Sequence, residues 1–256
     1  MVLIDTHSHI FGEQFESDLD GVMLRAGKAG VEKVLVPNVE SSTISEVIKT
    51  ISQYPQALPM WGLHPCSVNQ NWRLEMAVIE PMISKFPPVA IGEIGLDFYW
   101  SKEFVDDQVE ALNYQMDLAL RHNLPVSLHT REATSETIDH VLPFAAKGVK
   151  GVFHCFSGTE WEAERIIEMG FCLGIGGTIT FKNNPMRVWI KNLPIEYLVL
   201  ETDAPYLAPV PYRGKRNEPA YLMEVAAELS TLLGQDPSRI GNLTSQNARR
   251  VFGLSN

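Results

Sequence analysis

Short apolar runs alternate with longer amphipathic stretches from one end of the chain to the other. The runs at residues 2–9, 34–37, 57–63, 89–93, 125–129, 149–154, 171–175 and 197–201 are rich in Val, Ile and Leu. They are too short for packed helices, and this predicts strands. Between them, apolar residues recur at three- and four-residue intervals, which predicts helices near 19–29, 44–53, 74–86, 106–122, 135–145, 160–169 and 186–192. A last helical region covers 221–233 and leads into 240–252. The helix ending at His122 is expected to stop at Asn123, ahead of Pro125.

Strand–helix alternation predicts a parallel sheet with right-handed crossovers. The predicted strand exits fall near His7, Pro37, His64, Glu93, His129, His154, Ile175 and Asp203. Their spacing is close to the ~30 residues that one unit of an eightfold barrel occupies. The expected architecture is therefore α/β, a (β/α)8 TIM barrel forming a single domain over residues 1–256. No linker-like tract interrupts it. A dinucleotide fold is disfavoured, because His7 and His9 stand where a GxGxxG turn would follow the first strand.

Composition narrows the function classes. The formal net charge is -10 at pH 7, so the surface repels phosphate backbones and tight nonspecific duplex binding is disfavoured. A nucleic-acid substrate would need a local basic patch or bound cations. Cys66, Cys155 and Cys172 have no CxxC spacing and cannot all pair, which favours a reducing compartment. The N-terminus has no basic n-region, and its apolar run is too short for a signal peptide or membrane span. The expectation is a cytoplasmic protein with no membrane association and no obligate protein partner.

The candidate chemistry sits at the strand exits. Side chains along a strand alternate in direction, so His7 and His9 share one face. Glu93, His129, His154 and Asp203 fall at the ends of other strands. In a barrel these ends converge on the face where active sites are built. Four imidazoles and two carboxylates exceed what one ion needs, which points to two divalent ions. Glu93 is the natural bridge, because each carboxylate oxygen can hold one ion. Such a pair would share a water and present it as hydroxide to a phosphorus or carbonyl carbon. Glu93 and Asp203 are the catalytic candidates, with Asp203 taking the water's proton. Glu201 is a candidate acceptor behind a ligand histidine, or a satisfied interior carboxylate.

Asp-Thr-His-Ser-His at 5–9, Gly-Leu-His-Pro at 62–65, Ile-Gly-Glu-Ile-Gly-Leu-Asp at 91–97, Leu-Pro-Val-Ser-Leu-His-Thr-Arg at 124–131, His-Cys-Phe-Ser-Gly at 154–158, Glu-Thr-Asp-Ala-Pro at 201–205 and Arg-Asn-Glu-Pro at 216–219 appear in that order. Together they resemble the signatures of the TatD-type metal-dependent deoxyribonucleases of the amidohydrolase-like superfamily. The resemblance implies that His7, His9, Glu93 and Asp203 surround one ion, and Glu93, His129 and His154 the other. It also implies phosphodiester hydrolysis of DNA. Some members of the superfamily bridge their metals with a carboxylated lysine; here Glu93 occupies the fourth strand and no modification is required.

The substrate contacts expected from position are His64, Arg131, Lys182 and Arg216. His64 either donates to a substrate phosphate or orders its turn. Lys182, Arg213, Lys215 and Arg216 lie on loops after the seventh and eighth strands, and Arg131 follows the fifth; they form a phosphate patch or a solvated charged rim. Asn217 and Glu218 read first as caps before Pro219. Phe98, Tyr99 and Trp100 either stack a base or pack beneath their loop. The expected function is metal-dependent hydrolysis at a DNA end or of a small phosphoester. The alternatives are hydrolysis of a small amide or ester on the same centre, and a noncatalytic binding protein. Imidazole-rich ligation suits zinc, manganese, cobalt or nickel, whereas the resemblance points to magnesium.

Overall fold

A computed structural model describes residues 1–255, so Asn256, the last residue of the expected barrel, lies outside them. The strands are β1 Leu3–Asp5, β2 Val31–Pro37, β3 Ala57–Trp61, β4 Ala90–Asp97, β5 Val126–Arg131, β6 Gly151–Phe153, β7 Cys172–Ile175 and β8 Leu198–Leu200. They form one parallel sheet in sequential order. β1 and β8 close it: Thr6 N–H donates to Leu200 O at 3.1 Å, and past the strand ends Asp203 N–H donates to His7 O at 2.9 Å. The fold is the (β/α)8 barrel the alternation predicts.

The surrounding helices are α1 Leu19–Lys28, α2 Ile44–Gln53, α3 Trp72–Lys85, α4 Val105–His122, α5 Thr134–Ala145, α6 Glu160–Glu168, α7 Met186–Trp189, α8 Leu222–Leu233 and α9 Pro237–Phe252. Their ends follow local chemistry. α4 stops where Asn123 turns left-handed (φ 51°), a conformation Asn tolerates. α6 opens with a capping box between Thr159 and Glu162, and α9 opens with Asp236 accepting from Ser238 and Arg239 N–H ahead of Pro237; each such cap is worth ~1 kcal/mol. Among the described residues, no helix is long and apolar enough to cross a membrane.

The two faces of the sheet bury different sets. Outward residues such as Val34, Val36, Ile91, Leu128 and Phe153 pack against the helices. Inward residues Ile4, Leu35, Met60, Ala90, Val152, Cys172 and Val199 fill the lumen, together with Ala248 and Phe252 of α9. Helix α9 thus lies across the N-terminal end of the barrel. Period-two alternation carries the inward direction forward along each strand: Val152 leads to His154, Ser127 to His129, and Val199 to Glu201. A greasy floor therefore gives way to a polar mouth within one or two residues per strand.

Candidate metal centre

Glu93 sits inside β4 and is almost fully buried. The β4–β5 register shifts between Ile91 and Ile94, around Glu93. Gly92 permits the close approach there, because a Cβ on it would lie 2.8 Å from the Ser127 Cβ. The Glu93 carboxylate then stands at the centre of five imidazoles. Its Oε2 is 3.0 Å from His7 Nε2 and 3.5 Å from His9 Nε2. Its Oε1 is 2.9 Å from His129 Nδ1, 2.6 Å from His154 Nε2 and 3.2 Å from His64 Nε2. Asp203 Oδ1 lies 3.6 Å from His9 Nε2. All six side chains expected to ligate metal meet at one rim, and His64 joins them.

Burial alone would raise the Glu93 carboxyl, but the imidazoles of His154, His64 and His7 and the bond from His129 outweigh it and hold it well below the usual range. Burial lowers His7 well below an ordinary imidazole, and the neighbouring His154 adds to this. The His154 ring goes the other way: Glu93 and Glu201 outweigh its burial and raise it. Asp203 is lifted to about 6, chiefly by burial.

The groups behind the ligands set their orientation. His129 Nε2 faces Asp97 Oδ2 at 2.9 Å, and Asp97 Oδ1 takes the Tyr99 and Trp100 amides at 2.9 and 3.1 Å. His7 Nδ1 meets Ser127 Oγ at 3.1 Å. His154 Nδ1 faces Glu201 Oε1 at 3.6 Å, and that carboxylate also accepts the Cys155 N–H. Ionised carboxylates only accept, so Asp97 holds a proton on His129 Nε2, and in that tautomer Nδ1 would present its lone pair to an ion held beside Glu93. Of these partners, Glu201 is the one expected from sequence. Asp97 closes a quoted motif but carries no positional signal for His129, and Ser127 touches a histidine on a distant strand.

The donor set fits divalent cations. His7 Nε2 and His9 Nε2 are 3.3 Å apart, and His129 Nδ1 and His154 Nε2 are 3.4 Å apart. Lone pairs that close repel unless a proton or a cation lies between them. Three overlapping sets offer ligand atoms within 4.8 Å of one another: His7, His9 and Asp203; His7, Glu93 and His154; His64, Glu93 and His129. Imidazole and carboxylate together suit first-row divalent ions.

The centre opens into a cavity of about 840 Å³ walled by Phe11, Trp100, Arg131, Tyr206 and Leu207, among others. Of the expected substrate contacts, His64 and Arg131 line it. Arg131 stacks over Tyr99, its guanidinium carbon 3.9 Å from the ring centroid. Lys182 is exposed, and neither it nor Arg216 lines the cavity. Arg216 is turned to Asp18, at 2.7 and 2.8 Å, and to Gln14 O at 2.5 Å. Arg213 lies over Phe181. Of the expected cationic patch, Arg216 and Arg213 are thus drawn to acidic and aromatic neighbours, and Lys182 stands exposed away from the cavity. The capping role expected of Asn217 and Glu218 is also corrected. Asn217 Nδ2 staples Thr202 O and Tyr206 O at 2.7 and 2.8 Å, and Glu218 receives Arg25 at 2.7 and 2.6 Å.

The family model described as TatD related DNase matches residues 4–253. The chain is 36% identical to an uncharacterized metal-dependent hydrolase, YabD of Bacillus subtilis, over 99% of this chain and 100% of that one. It is 33% identical to the 3'-5' ssDNA/RNA exonuclease TatD of Pectobacterium carotovorum, again over 99% and 100% of the two chains. The crystal structure of YjjV, a TatD homologue from Escherichia coli, superposes with a TM-score of 0.93 at 31% identity, covering 99% of this chain and 98% of that one.

Proposed function

The chain belongs to the TatD-related DNase family of metal-dependent hydrolases, and from that premise we propose that it hydrolyses phosphodiester bonds at a DNA end. One observation carries the reading. The two oxygens of Glu93 face separate imidazole groups, His7 and His9 on one side and His129 and His154 on the other. His7, His9, Asp203 and Glu93 Oε2 would hold one divalent ion; His129, His154 and Glu93 Oε1 would hold the second. Bound there, such ions supply Lewis acidity that lowers the pKa of water and neutralises a phosphoryl group.

The chain's own residues do the rest. Asp203 lines the cavity and accepts the proton of the attacking water, a task closed to an imidazole whose open nitrogen is engaged. Arg131 supplies the cationic charge in the cavity wall opposite a phosphate. The concave mouth admits a strand terminus more readily than the middle of a duplex. The relative named as an exonuclease on single-stranded DNA and RNA supports the choice of substrate. The free Cys66, Cys155 and Cys172 fit a reducing compartment, and we place the protein in the cytoplasm.

The test uses chelator-stripped protein reloaded with magnesium, manganese or zinc. It is offered end-labelled single-stranded DNA, duplex DNA, bis(4-nitrophenyl) phosphate and a small amide. The expected result is stepwise shortening of single-stranded DNA. Glu93→Ala should lose both ion binding and turnover while keeping the wild-type circular dichroism spectrum. Hydrolysis of the amide alone would overturn the assignment.

A further inference from the structure

His64 touches the same carboxylate oxygen as His129 and His154, yet its far side is wired in the opposite sense. The backbone N–H of Cys66 donates to His64 Nδ1 at 3.0 Å. A backbone N–H can only donate, so Nδ1 is an acceptor and, in the neutral ring, the proton resides on Nε2. That Nε2 points into the centre, 3.2 Å from Glu93 Oε1. For His129 the order is reversed, since Asp97 takes the far proton and the near nitrogen, facing Glu93, would be left to present a lone pair to an ion. His154 likewise has only a carboxylate, that of Glu201, near its far nitrogen.

The wiring comes from local sequence. His64 is the N-cap of the short turn Pro65–Ser67, and its ring folds back onto the Cys66 amide. Pro65 occupies the first position, where it has no N–H to offer, so the second amide is the one that meets the ring. The Ser67 N–H is engaged by the His64 carbonyl at 2.9 Å. The turn therefore assigns the acceptor role to Nδ1 from outside the cavity.

We infer that His64 is not a metal ligand but a fixed Nε2–H hydrogen-bond donor, aimed at an oxygen of the substrate. The inference deepens the phosphodiester reading and rests on it only for the substrate's identity. The acceptor of the His64 N–H in the structure is Glu93 Oε1, but His64 also lines the cavity, so once ions engage that carboxylate the N–H would be free to meet a nonbridging phosphoryl oxygen entering there. A donor pre-aimed at an oxygen that gains charge contributes more in the transition state than in the ground state. It also selects against a substrate presenting a donor group there.

Three readouts test this. In the protein labelled with 15N at histidine and loaded with zinc, His64 Nδ1 should give the signal of an unprotonated, pyridine-like nitrogen and Nε2 that of a protonated, pyrrole-like one, with the reverse for His129. An unprotonated or zinc-bound His64 Nε2 would overturn the proposal whatever the substrate proves to be. Zinc content by mass spectrometry of metals should equal wild type in His64→Gln and fall in His129→Gln; loss of an equivalent in His64→Gln would make His64 a ligand. On bis(4-nitrophenyl) phosphate, His64→Leu should lower kcat on the order of 100-fold, and His64→Gln, which restores an N–H donor, should recover at least about tenfold of it. Equal activity in the two variants would overturn the donor role. If the wild type cleaves no phosphoester, the phosphodiester reading fails, while the 15N and zinc results still decide the wiring.

Discussion

Asp97 binds the chemistry to the cavity wall. One oxygen receives the His129 ring and the other receives the Tyr99 and Trp100 amides, so a single carboxylate orients a candidate ligand and folds the aromatic loop. Asp97→Asn keeps the size of the side chain but removes the charged acceptor. It should weaken one of two ion-binding steps by ~10–100-fold, the usual cost of losing a partner behind a metal-bound histidine. Titration with zinc against a competing chelator checks this, and unchanged affinity at both steps would refute it. The candidate ligands themselves were legible in the sequence, because they fall at or just past apolar runs, as His154 follows Val152 by one inward step. Their supports were not equally legible. Ser127 is 120 residues from His7, and nothing along the chain pairs them until the barrel closes. His64 was placed at the mouth by its strand exit, but its proton is assigned only by the Cys66 amide.

At the scale of elements, most helices begin and end within two residues of where the periodicity places them, as α2 does at Ile44–Gln53. Strands agree less well. β6 runs only over Gly151–Phe153, and β8 over Leu198–Leu200, because the ligand-bearing ends leave the ladder to turn into the mouth. β4 extends on to Asp97, beyond the expected end at Glu93. Polar exits that hydrogen-bond across the barrel defeat a reading based on apolar runs. The packing around those exits is tight. A Cβ at Gly174 would lie 2.2 Å from Glu201 Oε2, so Gly174→Ala should cost ~1–3 kcal/mol in denaturant unfolding and push Glu201 from His154. Unchanged stability would show that Glu201 can retreat. The loop after β8 is tied to the turn before α1 by Arg216 and Asp18. The Arg216 bond outweighs burial and, with Arg25, holds the Asp18 carboxyl below its ordinary value. A depressed folded-state pKa stabilises above the unfolded carboxylate pKa of ~4 and is lost as pH falls through the lower folded value. Asp18→Asn should therefore lower Tm at neutral pH, with the difference from wild type closing on acidification. The side chain is 40% exposed, so the effect belongs with surface pairs at ~0–1 kcal/mol.

For the whole molecule, the barrel divides labour along its axis. Helix α9 and the lumen residues Leu35, Met60 and Val199 fill the lower end, and the polar rim stands on that floor. The lumen floor and the larger core between sheet and helices both lie apart from the polar rim, so loss of the ions should leave the fold standing. The eightfold plan was legible because strand exits recur at the interval of a barrel unit. The loss of Arg216 from the expected phosphate patch was not, since its partners lie about 200 residues away at Gln14 and Asp18. At a net charge of -10, the proposed phosphodiester substrate would have to be met by local positive charge, which the two ions proposed beside Glu93 would bring. Crystals soaked with manganese or zinc, with diffraction recorded on both sides of the absorption edge, test this most directly. The account predicts two anomalous peaks flanking the Glu93 carboxylate, one among His7, His9 and Asp203 and the other between His129 and His154. A single peak, or peaks away from Glu93, would contradict it.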